Sequence, residues 1–369
     1  MTLVSVIIPT YNRAQLLVEA VNSVLAQTHQ DFEIIIVDDG SIDNTAEVIQ
    51  NIPDPRIKVI SQDNSGRSVA RNRGLQAAGG TYIGFLDDDD LYLPEKLARE
   101  IAFLEAHPEI DMAACGTQFW WKSGEVKINW QPWKYVPEPN FLEILNGCPF
   151  VMCGVLIRRE FLRKNNLRFD PELIQAEDTG FFIDMTLAGC RTAWLEEILG
   201  IYRNHAVRTR SSLLENDRYH RKMLEKLYAR DDLPEVVRAQ RGRIYQRSYL
   251  FLACRSYACG WISAAHRHLV HASLQETVSR GDFIALFQEY VVRMAAEPIW
   301  VAQPVAFIDF VFDNLPAPLS FLSECRSDTL DVFEAYRQVG PLPRSEFIAT
   351  MLKAGNTALT TSYLEVTQF

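Results

Sequence analysis

Tyr82-Ile83-Gly84-Phe85-Leu86-Asp87-Asp88-Asp89-Asp90 is the stretch on which the fold turns. A short apolar run passes without a break into four consecutive aspartates. A run that is apolar at both odd and even positions suits a strand covered on both faces, as in a parallel sheet. Acids at its carboxyl end then stand where such sheets hold ligands. The same grammar recurs upstream. Val4-Ser5-Val6-Ile7-Ile8 is stopped by Pro9, and Phe32-Glu33-Ile34-Ile35-Ile36-Val37 runs into Asp38-Asp39-Gly40-Ser41. A third run covers 57–60. Between the runs, Leu16, Leu17, Ala20, Val21, Val24 and Leu25 recur at helical spacing. Asp43 stands as an N-cap for a helix to Gln50, and a helix over 68–78 is ended by Gly79-Gly80. This β-α-β-α-β-α-β order predicts an α/β, doubly wound, mostly parallel, Rossmann-like sheet.

Further helices are expected over 94–106 and 178–187, and further strands over 110–135, 154–157 and 192–202. Strand signals stop near residue 212. The spacing predicts two domains, 1–212 and an all-α 213–369, with the boundary near 209–213. Within the second, Ala253, Tyr257, Gly260, Ala264, Leu269 and Ala272 have the spacing of one tetratricopeptide-like helix pair. Such repeats need about three copies to stand alone, so a packed helical bundle is the simpler reading.

The 369 residues carry 37 Lys+Arg against 47 Asp+Glu, a net charge of −10. That excludes a protein that coats nucleic acid, which needs a basic field. Apolar residues make up 48%, ordinary for a globular chain. The seven cysteines are odd in number and include no CxxC pair, which suits reduced thiols in a cytoplasmic protein. No apolar run reaches the roughly 18 residues of a membrane span. Peripheral contact at the inner face of a membrane is read from Phe283, Leu286, Phe287, Tyr290, Val291 and the stretch 299–312.

Four constellations carry chemistry. The aspartate run repels itself unless a cation or proton compensates, and its hard oxygens suit Mg²⁺ or Mn²⁺; a solvated turn before a helix is the plainer alternative. Asp38-Asp39 after the second strand suits ribose or base contacts, against a simple Asp-Gly turn. Ala176-Glu177-Asp178-Thr179 at a helix start offers a general base, against an acidic N-cap. Tyr202-Arg203-Asn204-His205 puts a histidine just past a strand, where metal, phosphate or solvent are its candidate partners. The first strand is followed by neither GxxxxGK[ST] nor GxGxxG, which weakens ATPase and dinucleotide-oxidoreductase readings.

In this order and spacing the four elements resemble the family 2 glycosyltransferases, inverting nucleotide-sugar enzymes of GT-A fold. The resemblance rests on residues 4–12, Ser23-Val24-Leu25-Ala26-Gln27-Thr28 and residues 32–41. It continues through Gly66-Arg67-Ser68-Val69-Ala70-Arg71-Asn72-Arg73-Gly74, residues 84–90, Glu177-Asp178 and residues 202–205. It covers residues 3 to about 205.

The resemblance implies a nucleotide-sugar donor, UDP-sugar favoured, with Pro9, Thr10, Tyr11, Asn12, Asp39, Arg71, Asp87 and Asp88 on the donor side. Asp89, with His205, is implied to hold Mn²⁺ or Mg²⁺, in the register Asp87-x-Asp89, with Asp88-x-Asp90 as the alternative. Asp178 is implied as catalytic base. Arg71 is a candidate for phosphate charge, against a surface ion pair on its helix. Glu177, Trp120 and Trp121 are acceptor-side candidates, although most of Trp120, Trp121, Trp130 and Trp133 are expected in the core. The acceptor is expected to be a carbohydrate or lipid-linked glycan in polysaccharide biosynthesis, and the C-terminal helices are expected to pair two copies as a homodimer. Two alternatives stand beside this, a non-catalytic nucleotide-sugar-binding scaffold and a sugar nucleotidyltransferase. The latter expects a glycine-rich loop where this chain has Pro9-Thr10-Tyr11-Asn12-Arg13.

Overall fold

The computed structural model describes residues 3–121, 126–134, 136–204, 210–275, 280–296 and 303–339. The first half alternates as the pattern predicts: β1 (Val4–Thr10), α1 (Ala14–Leu25), β2 (Phe32–Asp38), α2 (Thr45–Gln50), β3 (Ile57–Ser61), α3 (Arg67–Ala77) and β4 (Tyr82–Phe85). These strands lie in the order β3-β2-β1-β4, all parallel. Their sequence explains their depth. Val4, Val6 and Ile8 point to one face against Leu17, Ala20, Val21 and Val24 of α1, while Ile7 points to the other, under α3. Ile34, Ile35, Ile36 and Val37 are all 0% exposed, so the continuous apolar run is the signature of cover on both faces.

Beyond β4 the sheet changes character. β5 (Leu91–Tyr92), α4 (Lys96–Ala106), β6 (Met112–Trp121), β7 (Val126–Trp130), α5 (Phe141–Asn146), β8 (Val155–Arg158), α6 (Arg159–Lys164), α7 (Glu177–Leu187) and β9 (Thr192–Asn204) follow. β8 runs antiparallel to both β4 and β6, β9 runs parallel to β6, and β5 closes the edge antiparallel to β9. The expectation of a mostly parallel sheet therefore holds for four strands, and the remainder is mixed. Val155, Leu156 and Ile157 are buried as deeply as β2; burial dictates the composition of a strand but not its direction. A register shift on either side of Gly116 bends β6 against β9. Arg203, near the end of β9, then donates its backbone N–H to Asp90 Oδ1 (2.9 Å).

The chain divides into two compact units, Met1–Met223 and Leu224–Phe369. The division falls inside α8 (Arg210–Tyr228) rather than at 212/213. Lys222, in the fourth turn of α8, pairs with Glu172 of the first unit at 3.2 Å. The second unit contains α9 (Glu235–Ala239), α10 (Arg241–Ala258), α11 (Ile262–Ser273), α12 (Arg280–Ala296), α13 (Pro304–Asp313) and α14 (Arg326–Val339). α10 and α11 form the helix pair read from the spacing. Ala253, Tyr257, Ala264, Leu269 and Ala272 are all buried in it, and Gly260, with φ of 73°, makes the turn.

Most of the side chains behind the membrane reading pack within this unit, and residues 299–302 lie outside the described residues. Phe283, Leu286, Phe287 and Val291 form its core with Phe307, Ile308, Val311 and Phe312, so these apolar side chains are spent on packing between helices. No described helix is long and apolar enough to cross a membrane.

Gly74 is where α3 lies closest to the sheet: a Cβ there meets Ile7 Cγ2 at 2.3 Å. Ile7 is fully buried and β-branched, so it has little room to turn. Gly74→Ala gains about 1 kcal/mol of helix propensity but overpacks this contact, at a cost near the top of the usual range of roughly 1–3 kcal/mol. The expected result in urea unfolding is a net loss of stability; a gain would mean that α3 can lift off the sheet freely.

Candidate active site

Because β1, β2 and β4 are parallel, the loops that follow them emerge on one side. Side chains then tie these loops together. Thr10 Oγ1 at the end of β1 donates to Asp88 Oδ2 (2.8 Å). Asn12, at φ 53°, accepts at Oδ1 from the N–H groups of Ile42 (2.8 Å) and Asp43 (3.3 Å). Its own N–H donates to Ser41 Oγ (2.9 Å). Asp39 accepts from Gln62 Nε2 (2.7 Å) and from the N–H groups of Ser65 and Gly66 (2.8 Å each), so it braces the entry to α3. Pro9 is buried in β1, while Tyr11 projects from the loop at 43% exposure.

The four aspartates are compensated in four different ways. Asp87 receives Arg71 Nη2 at 2.5 Å. Burial is the largest single influence and opposes its ionisation, but the charges of Arg71, Arg67 and Arg13 with the Arg71 hydrogen bond together hold it below the usual carboxylate range. Asp88 is almost fully buried against Thr10 and receives Arg13 Nη1 at 3.1 Å; burial pushes it up to about 6. Asp89 also pairs with Arg13. Asp90 is 2% exposed, and burial, then the neighbouring Asp89 and Asp87 charges, raises its pKa. Arg203 also latches this loop through its side chain, donating to the Asp89 carbonyl and pairing with Glu19.

Asp87, Asp89 and Asp90 bring one carboxylate oxygen each within 4.8 Å of one another. Asp88 is turned away to Thr10. Three convergent hard oxygens of an acidic run fit a divalent cation of the Mg²⁺ or Mn²⁺ type. Asp90 entered the sequence reading only through the alternative register Asp88-x-Asp90, and it converges here with Asp87 and Asp89. The fourth aspartate of the run was itself the available signal.

Two residues do other work than the sequence implied. Arg71, a candidate for donor phosphate, is 1% exposed. Its Nη1 is bound to Glu177 Oε1 (2.8 Å) and its Nη2 to Asp87, and its guanidinium lies over Phe169 at 5.2 Å. Neither a phosphate contact nor a surface ion pair describes it. Glu177, a candidate acceptor contact, is 3% exposed and also pairs with Arg67 Nη1 at 3.5 Å, so it has no free face for an acceptor. Asp178, the next residue, opens α7 behind Ala176, which holds a left-handed φ of 61°. Thr179 N–H donates to Asp178 Oδ1 (2.7 Å). Burial, with the Glu177 charge next, pushes the Asp178 carboxyl up to about 6.

Trp120 and Trp121 pair with Arg203 and Asn204 across β6 and β9. Trp120 is half-buried, with Nε1 donating to Gln118 (2.6 Å) and Lys127 over its ring at 4.3 Å. His205 lies outside the described residues.

The model of the family described as glycosyl transferase family 2 matches residues 5–165. A Haemophilus influenzae uncharacterized glycosyltransferase is 36% identical over 191 residues, which cover 50% of this chain and 72% of that protein. The chain belongs to glycosyl transferase family 2.

The uncharacterized glycosyltransferase EpsJ of Bacillus subtilis is 35% identical over 55% of this chain, but the match spans only 61% of EpsJ. Matches to two Rickettsia relatives span 30% of their lengths. Among solved structures, residues 1–349 of S. aureus TarS with UDP-GlcNAc superpose with a TM-score of 0.57 at 22% identity, covering 92% of each chain. The mannosyltransferase PcManGT of Pyrobaculum calidifontis with GDP-Man and Mn²⁺ gives 0.53 at 18% identity, covering 84% of this chain and 86% of that one. These likenesses establish the GT-A-type fold.

Arg71 is the group whose loss the site tolerates least. Arg71→Met removes the main counter-ion of half-buried Asp87 and of buried Glu177, which keeps only the exposed Arg67 at 3.5 Å, and breaking a buried pair costs about 3–5 kcal/mol in comparable cases. Arg67→Ala removes an exposed partner of the same Glu177, with an expected cost within about 1 kcal/mol. Urea unfolding of the two variants should separate them by that margin, and equal losses would deny the bridge its role.

Proposed function

We propose that the chain is an inverting, divalent-metal-dependent glycosyltransferase that moves a sugar from a nucleoside-diphosphate donor to an acceptor hydroxyl. One observation carries this: a carboxylate raised into the range of a working base, Asp178, begins a helix joined through Glu177 and Arg71 to the aspartate run. Base and donor site are thus built as one unit.

The side-chain positions are compatible with the residue roles that the family resemblance implies. Tyr11 offers an exposed ring for the nucleobase, and Thr10 and Asp39 lie at the adjoining strand ends. Asp87, Asp89 and Asp90 would hold the metal. The ion, when bound, would neutralise charge on the departing diphosphate. Asp178 Oδ1 is held by Thr179 N–H, which leaves Oδ2 to take the acceptor proton. Glu177 is committed to Arg71, so among the described residues it is not free to act beside Asp178 as a nucleophile. That supports one displacement, with inversion.

The complexes of TarS with UDP-GlcNAc and of PcManGT with GDP-Man favour a nucleotide-sugar donor, and a UDP-sugar is the first choice. The putative teichuronic acid biosynthesis glycosyltransferase TuaG of B. subtilis is 45% identical over 105 residues, 42% of its length. It supports a carbohydrate or lipid-linked acceptor in polysaccharide synthesis. Trp120 and Trp121 are the acceptor-side candidates nearest Arg203 and Asn204 in register.

A thermal-shift screen with UDP-, GDP- and dTDP-sugars and Mn²⁺ should single out one base. A ligand at 100 times its Kd adds about 2.7 kcal/mol of stability. Asp178→Asn is expected to abolish transfer while leaving donor affinity within a few-fold. Normal turnover in that variant would remove Asp178 from the base role. Release of pyrophosphate instead of nucleoside diphosphate would indicate a nucleotidyltransferase, and no turnover with any donor a binder.

The pH dependence has a definite sign. Asp178 must be ionised to accept a proton, so turnover should be level above about 6 and fall roughly tenfold per pH unit below it. A profile flat down to pH 4.5 would contradict this. Loss of turnover in chelator, restored by Mn²⁺ or Mg²⁺, tests the metal and ranks the two ions.

A further inference from the structure

We propose that Arg13 is an exchangeable counter-ion that stands in for the divalent cation at the aspartate run and must leave when that cation binds. This deepens the metal reading of Asp87, Asp89 and Asp90 given above and rests on it.

The partners of the four aspartates differ in whether they are able to leave. Arg71 is not: it is 1% exposed, bridged to Glu177 and covered by Phe169. The backbone N–H of Arg203 that serves Asp90 belongs to a strand of the sheet. Arg13 is built differently. It lies between β1 and α1, before the first residue of the helix, and its side chain is 43% exposed. One nitrogen, Nη1, serves both Asp88 (3.1 Å) and Asp89. Asp89 is also one of the three residues whose oxygens converge. A dication held by that carboxylate and a guanidinium bonded to it would be like charges a few ångströms apart in a half-buried place, which is strongly unfavourable. The two occupants exclude each other. A long side chain rooted in an exposed loop swings out at little cost, whereas the carboxylates are fixed by Thr10, Arg71 and Arg203.

Two consequences follow. Without metal, Arg13 keeps the acidic loop from repelling itself apart. With metal, part of the binding free energy is spent on displacing Arg13, so affinity is reduced by the fraction of molecules in which Arg13 holds the site.

The test measures Mn²⁺ binding to the full chain, by the electron paramagnetic resonance signal of free Mn²⁺, with no donor present. Arg13→Gln should bind Mn²⁺ at least tenfold more tightly than wild type. Arg67→Gln removes the same charge from the same neighbourhood, but from a residue that pairs with Glu177 and not Asp89, and should change affinity less than threefold. Metal-free Arg13→Gln should also melt below wild type, and saturating Mn²⁺ should close that gap. Unchanged affinity in Arg13→Gln, or an equal gain in Arg67→Gln, would overturn the exchange, the second outcome by reducing it to a general field effect. If neither wild type nor Arg13→Gln takes up Mn²⁺ saturably, the metal site itself falls, a failure separate from that of the exchange and from that of glycosyl transfer.

Discussion

The site depends on one buried cation. Removing an arginine from water is expensive, and the attraction of its partners repays that only when the geometry is good and the remaining groups are bonded. Arg71 has a carboxylate on each terminal nitrogen and an aromatic ring against its plane, while its buried Nε is left without a hydrogen-bond partner. The consequence is positional. Asp87 lies in the loop after β4 and Glu177 at the start of α7, 90 residues apart in sequence, and a planar fork holds both at fixed spacing. Phe169 is in turn held by Asn72, whose side chain bonds both its N–H and its carbonyl. The bridge is thus braced by a residue adjacent to Arg71 on the same helix.

From that fixed point the acidity of the cleft becomes intelligible. Four neighbouring carboxylates in one state would tear the loop open. The protein keeps them in different states: Asp87 ionised by Arg71, Asp88 and Asp90 drawn toward the neutral form by burial, and Asp89 balanced by Arg13. The formal net charge of −10 therefore overstates the negative charge of this cleft, where two aspartates are drawn toward neutrality and two are paired with arginines. Such a loop has a standing demand for positive charge, met in part by a side chain that is able to move.

What the sequence disclosed follows from what each signal encodes. Continuous apolar runs encode burial on both faces, so β1, β2 and β4 were legible, as were the acids at their ends. Direction is not encoded: β8 is as apolar as β2 yet runs antiparallel. β5 has only two residues and exists because Arg203 and Asp90 extend its pairing with β9, which no local pattern reports. Charged residues misled most. Arg71 and Glu177 look like surface groups until the fold shows that each is the other's partner, and the apolar face of α12 looks unpartnered until α13 is packed against it.

The pair Glu177-Asp178 shows how two adjacent acids acquire opposite tasks. Successive residues on a helix point about 100° apart, so the two acids of the first turn of α7 meet different surroundings. Glu177 is paired with Arg71. Asp178 accepts from the Thr179 N–H, and burial, with the charge of Glu177 next, raises its pKa. The ion pair that locks Glu177 in place therefore also keeps a negative charge beside Asp178. Were the arginine shared equally between them, both acids would be held ionised and neither would be a good proton acceptor. One strained residue, Ala176 in its left-handed conformation, sets the turn at which this division begins.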